Sequence, residues 1–194
     1  MESYIRSAVV GCLAVLVAVA AYHRIASQRG GERLDRSREG WPLMIGIRSL
    51  GLAGFIQIVV ILNRPSALDW AKLPLPLELR WCGIALLAAA CFTLCWMFIS
   101  LGRNLTDTVV TRRDATFVQH GPYRYVRNPM YSGLLTLGLG LGLALENISI
   151  PATMLALFVL LAIRTRTEEK FLIARFGDSY CEYMRRVGRF LPWS

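Results

Sequence analysis

Apolar positions in this chain gather in blocks instead of recurring at the spacing of one helix face or one strand face. Ala8 to Tyr22, Leu43 to Leu62, Trp81 to Leu101, Met130 to Leu145 and Pro151 to Ile163 form five such blocks. A bilayer core about 30 Å thick needs roughly 20 helical residues. The second and third blocks meet that length alone, and the first meets it when counted from Tyr4. The last two are short and separated only by Glu146 to Ile150, which reads as a helical hairpin, kinked or re-entrant. Arg6 ahead of an apolar core is also the pattern of a cleaved signal peptide, but four further blocks favour a retained helix. The pattern predicts an all-α integral membrane protein with about five transmembrane helices. Residues 1–101 supply three of them, and 102–194 form a second half ending in an amphipathic helical tail.

The polar connections differ from one another. Gly30-Gly31 and the mixed charges after it read as a solvated loop, whereas Pro65, Pro74 and Pro76 break helices and suit an irregular connection. Thr106, Thr108, Val109, Val110, Thr111, Thr116, Phe117 and Val118 are β-branched or aromatic, so that stretch reads as extended up to Gly121-Pro122. Asn128-Pro129 suits the start of a helix, because proline is tolerated in a first turn. Beyond Arg164 the pattern predicts two short amphipathic helices. Phe171, Leu172 and Phe176 stripe the first and Gly177 would cap it. Asp178 or Ser179 would cap the second, where Tyr180, Tyr183, Met184 and Val187 recur at i, i+3, i+4 and i+7. That stripe fits either a helix lying on the membrane surface or a lid over a site.

Composition agrees with the bilayer: 55% of residues are hydrophobic, 18% are charged and the mean hydropathy is +0.44. The net charge of +9 would suit nucleic acid, but its placement argues against that partner. Residues 23–42 and 102–128 carry five arginines each and 164–194 carry seven Lys/Arg, whereas 63–78 carry only Arg64 and Lys72 and 146–150 none. With five spans the basic segments share one face. The positive-inside rule then puts the N-terminus outside and the C-terminus in the cytoplasm. Four of the five cysteines (Cys12, Cys82, Cys91 and Cys95) lie in apolar blocks and read as small hydrophobes, with Cys181 in the tail. No Cys/His set has metal spacing, and the only histidines are His23 and His120, so no metal is expected.

Candidate chemistry is concentrated in the second half. Arg164 and Glu168 stand four apart and share a helix face, which serves either a site or a snorkelling arginine with a weak ion pair. Arg48 and Gln57 lie within an apolar block, where an ionisable group is a functional candidate, but the sequence assigns them no role. Gly138-Leu139-Gly140-Leu141-Gly142 follows no strand and has no acid about 20 residues on, so it is not a dinucleotide loop. Gly138 and Gly142 instead have the small-xxx-small spacing of close helix packing.

Phe117-Val118, Gly121-Pro122-Tyr123 and Arg127-Asn128-Pro129-Met130-Tyr131-Ser132-Gly133 come in an order matched by Glu168-Glu169, Phe176-Gly177, Tyr180, Tyr183, Val187, Arg189 and Pro192. In these residues the chain resembles the integral-membrane isoprenylcysteine carboxyl methyltransferases, in a prokaryotic-type form. These belong to the wider group that includes phospholipid N-methyltransferases. The resemblance covers roughly the C-terminal half. It implies S-adenosylmethionine as cofactor, lined by Ala115, Thr116, Phe117, Val118, Tyr123, Asn128, Pro129, Met130, Tyr131 and Glu168. It implies Arg164 and Glu168 as catalytic residues, with Arg164 holding a substrate carboxylate. The implied acceptor is a prenylated cysteine or prenylated protein C-terminus. Phospholipid N-methylation is the alternative, with Glu168 or Glu169 as base; sterol-type reduction and a non-enzymatic scaffold are more distant ones. The chain departs from the family at Asn128 and Ala115, where histidine is usual; asparagine hydrogen-bonds but cannot titrate.

Overall fold

The structure, a computed structural model, describes residues 2–28, 41–102 and 118–192. The described residues form helices joined by short turns and connections, with isolated bridges pairing Lys72 with Asn147 and Val126 with Gly188. Its α-helices are α1 (Glu2–Gln28), α2 (Trp41–Asn63), α3 (Leu77–Leu101), α4 (Pro129–Ala144), α5 (Ser149–Phe176) and α6 (Asp178–Arg186), with 3₁₀ turns at Pro65–Ala71 and Gly121–Arg124. The stretch expected to be extended, 103–117, lies outside the described residues, so only Val118 of it can be placed.

Helices α1, α2, α3 and α5 are long and apolar enough to cross a membrane. Helix α4 has 16 residues, about 24 Å at 1.5 Å per residue, and falls short of a bilayer core. The fifth helix corrects the expectation of two short elements. It runs unbroken for 28 residues, through Arg164 and into the first of the two anticipated tail helices. Between Pro151 in its first turn and Gly177 no residue breaks a helix, so backbone hydrogen bonding carries on past the end of the apolar block. Gly177 then closes α5 and opens α6 at once, at φ +57°. Glycine adopts that conformation without steric cost. Neither Asp178 nor Ser179 is therefore the cap; the Ser179 hydroxyl donates back to the Phe176 carbonyl at 2.7 Å.

Large apolar side chains such as Leu52, Phe55, Phe92, Ile99 and Ile163 are exposed along the helices, as a lipid-facing surface requires. Tyr22, Trp41 and Tyr125 are exposed at one end of the bundle and Tyr4, Trp70 and Trp81 at the other, the arrangement of two aromatic belts. The chain is a multi-pass membrane protein.

Helix packing follows the order α1, α3, α4, α5, α2, each against the next. Small residues set the closest approaches. A Cβ at Gly140 would stand 2.6 Å from the Leu87 backbone nitrogen, and one at Gly83 2.5 Å from that of Ala144, so α3 and α4 touch through their backbones. On the other side of α4, Gly138 packs against Met154 and Gly142 against Pro151 of α5, the close approach that their spacing predicted. Gln57, unassigned from sequence, donates a 3.0 Å hydrogen bond to Thr153 and ties α2 to α5. The Cys91 thiol is buried and donates to the Cys12 carbonyl at 3.6 Å, as a packing residue would.

Candidate functional site

Proline at the first position of α4 costs no hydrogen bond there, and the helix it starts turns Tyr131 inward to 4% exposure. The Tyr131 hydroxyl donates to Glu168 Oε2 at 2.8 Å, while Arg164 Nε lies 3.1 Å from Glu168 Oε1. Arg164 Nε makes no aligned hydrogen bond at that distance, so this contact is one of charge more than of direction. Arg164 and Glu168 lie one turn apart on α5, with side chains 13% and 21% exposed. The structure thus joins three of the residues expected at the site through one carboxylate.

A cavity of about 620 Å³ opens beside this trio. Three helices line it with one face each. Val17, Ala20, Ala21 and Arg24 come from α1, Met44, Ile47, Arg48 and Gly51 from α2, and Leu157, Leu161, Arg164 and Glu168 from α5. These are spacings of three and four, which put each set on a single stripe. Met130, Tyr131 and Leu134 of α4 and Phe98 of α3 complete the wall. The stripes are apolar toward the middle of the bundle and charged toward one end. Arg24 and Arg48 are contributions that the sequence had left without a role. A polar residue inside an apolar block was the signal for Arg48; Arg24 sits at the end of its block and gave none.

Beside the cavity the tail folds back onto the start of α4. The Arg127 amide donates to the Gly188 carbonyl at 2.9 Å, and the Ser132 hydroxyl to the Phe190 carbonyl at 2.6 Å. Asn128 donates to the Arg189 carbonyl twice, from its backbone and its side-chain nitrogen, both at 3.1 Å. Asn128 therefore works as a clasp, a role that needs an N–H and no titration. Glu169 is only 7% exposed and receives the Arg189 fork at 3.2 and 2.5 Å, with Arg127 Nη1 3.4 Å from the same carboxylate. So engaged, Glu169 is not placed to take a proton from a substrate.

Helix α6 buries Tyr180 and Tyr183 and exposes Glu182, Arg185 and Arg186, so its aromatic stripe faces the protein as a lid would. The Tyr183 hydroxyl donates to the Tyr123 carbonyl at 2.6 Å. Burial pushes the Tyr183 hydroxyl up to about 12, against a smaller opposing effect of Arg127. Burial also raises Tyr123, helped by Tyr183 and Glu168 nearby, and raises Tyr180, helped by Glu169 and opposed by Arg127. All three remain neutral hydrogen-bond donors near pH 7. Tyr131 and Glu168 line the cavity with Tyr123 close enough to feel the Glu168 charge, an aromatic and acidic group suited to a cationic ligand. Pro129 is buried and Met130 lines the cavity. Val118 is half-buried ahead of the 3₁₀ turn, and no hydrogen bond among the described residues links it to this group. Ala115, Thr116 and Phe117 lie outside the described residues.

The whole chain superposes on 71% of a eukaryotic intramembrane Ras methyltransferase, an isoprenylcysteine carboxyl methyltransferase, with a TM-score of 0.57 at 22% identity, which establishes a shared fold. The protein-S-isoprenylcysteine O-methyltransferase of Tribolium castaneum is 33% identical over 98 residues, 49% of this chain and 35% of that protein. Its counterpart in Schizosaccharomyces pombe is 34% identical over 97 residues, 48% of this chain and 41% of that protein. The chain thus matches less than half the length of either relative. Residues 79–179, just over half of the chain, match the family model described as phospholipid methyltransferase, and they hold most of α3, all of α4, Tyr131, Arg164 and Glu168, so the chain belongs to that family.

Proposed function

We propose that this protein transfers a methyl group from S-adenosylmethionine to the α-carboxylate of a C-terminal S-prenylcysteine. The observation that carries the reading is the trio Tyr131, Glu168 and Arg164 at the charged end of an apolar cavity. An acceptor with a lipid chain and an anionic head matches that cavity in both halves.

When bound, S-adenosylmethionine supplies an electrophilic methyl on a sulfonium, so an O–C bond forms as the S–C bond breaks and its electron pair stays on sulfur. The donor set fits such a ligand. Glu168 suits its amino group, and the Tyr123 and Tyr131 rings suit a sulfonium or an adenine. A free α-carboxyl has a pKa of about 3.5 and is already ionised near neutrality, so no general base is needed. This agrees with a site whose two glutamates are both engaged by neighbours. The protein's task is alignment and exclusion of water, which can contribute on the order of 7–11 kcal/mol. Arg164 orients the carboxylate; Tyr131 holds Glu168 toward the cofactor; Pro129 and Asn128 fix the turn that carries Tyr131. The prenyl chain enters between helices from the bilayer. The helix ends that lead into the basic connections gather at the cavity's charged end, which supports a cytoplasmic site with the N-terminus outside.

The test is transfer of radiolabelled methyl on purified protein in lipid, offered farnesylated N-acetylcysteine together with phosphatidylethanolamine. Alkali-labile label released as methanol is the expected result. Label retained on lipid through alkali would be N-methylation and would overturn the acceptor.

A further inference from the structure

Arg48 is the one charged residue on the α2 stripe that faces the cavity. Met44, Ile47 and Gly51 flank it at spacings of three and four. It lies seven residues after Trp41, about 10 Å into the helix. Among the described residues it has no hydrogen-bond or ion-pair partner, whereas Arg164 on the neighbouring helix α5 is paired with Glu168. The charged residues among those that line the cavity are Arg24, Arg48, Arg164 and Glu168, so three of the four are cationic. Arg48 sits in an apolar block where an uncompensated charge is costly. Snorkelling toward the headgroups relieves part of that cost for any arginine near a helix end. It does not explain why the charge stands on the stripe shared with the cavity, since another face of α2 would reach the headgroups equally well.

We infer that Arg48 is a second substrate-binding residue, which grips the carboxylate of the lipid acceptor from α2 while Arg164 holds it from α5. This rests on the carboxylate-methylating function proposed above and adds the residue that selects an anionic head over a zwitterionic one. Two arginines on neighbouring helices distribute the grip. Neither then needs a bidentate pair tight enough to quench the attacking oxygen, so binding is gained with little loss of nucleophilicity. A phosphatidylethanolamine head would place an ammonium between two guanidinium groups, and like charges at close quarters suppress the wrong partner.

The experiment measures equilibrium binding of farnesylated N-acetylcysteine and of its neutral carboxamide to the full chain, without cofactor, in phosphatidylcholine nanodiscs. The wild type is compared with Arg48→Gln and Arg48→Lys. The wild type is expected to prefer the carboxylate about tenfold or more, the worth of a charge-assisted hydrogen bond. Arg48→Gln should remove most of that preference while leaving carboxamide binding unchanged, and Arg48→Lys should restore part of it. In turnover, Arg48→Gln should raise KM for the acceptor about tenfold, with kcat and KM for S-adenosylmethionine within twofold. An undiminished preference in Arg48→Gln overturns the role of Arg48 and leaves the proposed function standing. Wild type that binds neither compound overturns both. An effect of Arg48→Gln seen only when phosphatidylglycerol replaces phosphatidylcholine would assign Arg48 to a bilayer phosphate and overturn the inference.

Discussion

Both ends of this bundle hold an arginine against a carboxylate, yet they are built for different purposes. At one, Arg80 reaches Glu2 at 2.8 Å, Glu146 at 3.3 Å and the Ala144 carbonyl at 3.2 Å. These contacts tie the start of α1 and the α4–α5 turn to α3, and the backbone adds to them. The Leu73 amide donates to the Glu146 carbonyl at 2.9 Å and the Ile148 amide to the Ala71 carbonyl at 3.0 Å. The cavity there holds only about 260 Å³, and acids and bases alternate around it. At the other end Arg164 and Glu168 open on about 620 Å³ of mostly apolar space that Arg24 and Arg48 also line. Ion pairing as such does not mark a site. A site is marked where paired groups border a space shaped for something else.

Arg164→Ala should break that comparison most severely, lowering the proposed methyl transfer on the order of 100-fold, since Glu168 loses its partner at the proposed substrate site. Unfolding in detergent should show the chain still folded; equal losses of fold and activity would make Arg164 a strut like Arg80. Glu169→Gln comes next. It loosens the Arg127 and Arg189 clasp and should weaken S-adenosylmethionine binding about tenfold, through the tail and not through chemistry. The shape of the pH–rate profile should stay the same, whereas a lost limb would give Glu169 the role of a base. Gly140→Ala would press a methyl on the Leu87 backbone and should cost about 1–3 kcal/mol by denaturant titration, with specific activity of the folded fraction kept.

Arg80→Gln sharpens the contrast from the far end. It should cost about 1–2 kcal/mol of stability and leave turnover per folded molecule within twofold. A large loss of turnover would mean that the two ends are coupled. The smallest effect is expected at Tyr183. Its folded pKa of about 12 lies above the ordinary value of 10.0, because burial penalises the anion. The stability contributed by the neutral hydroxyl is thus complete below pH 10 and lost as pH rises through 12. Tyr183→Phe should cost about 1 kcal/mol at pH 8, from the lost bond to the Tyr123 carbonyl. It should also remove one step from alkaline unfolding, seen as a smaller loss of stability between pH 10 and 12.

The resemblance to a known family pointed to the site residues, and short-range spacing fixed only which of them share a helix face or turn. Arg164 and Glu168 are one turn apart on any helix, and Pro129 with Tyr131 must share the first turn of α4. The partnership of Glu169 with Arg127 and Arg189 was not legible, because it joins the start of α4, the middle of α5 and the tail. Asn128 shows the same limit. Its departure from histidine was visible, but its duty as a clasp on the Arg189 carbonyl emerges only when the tail folds back. The extent of α5 was misjudged because hydropathy reports where the bilayer ends, and helical hydrogen bonding does not stop there.

The sequence by itself determined the apolar blocks, the face that gathers the arginines and the turns set by Pro129 and Gly177. Burial, charge placement and backbone sterics act over a few residues and leave little choice. The tertiary structure alone decided which stripes of α1, α2 and α5 look at one another, and so that Arg24, Arg48 and Arg164 line one cavity. In a bilayer every helix face is apolar enough to meet lipid, so hydrophobicity does not choose the packed face. Close approaches such as Gly83 on Ala144 and Gly140 on Leu87 make that choice, and they exist only between helices already brought together.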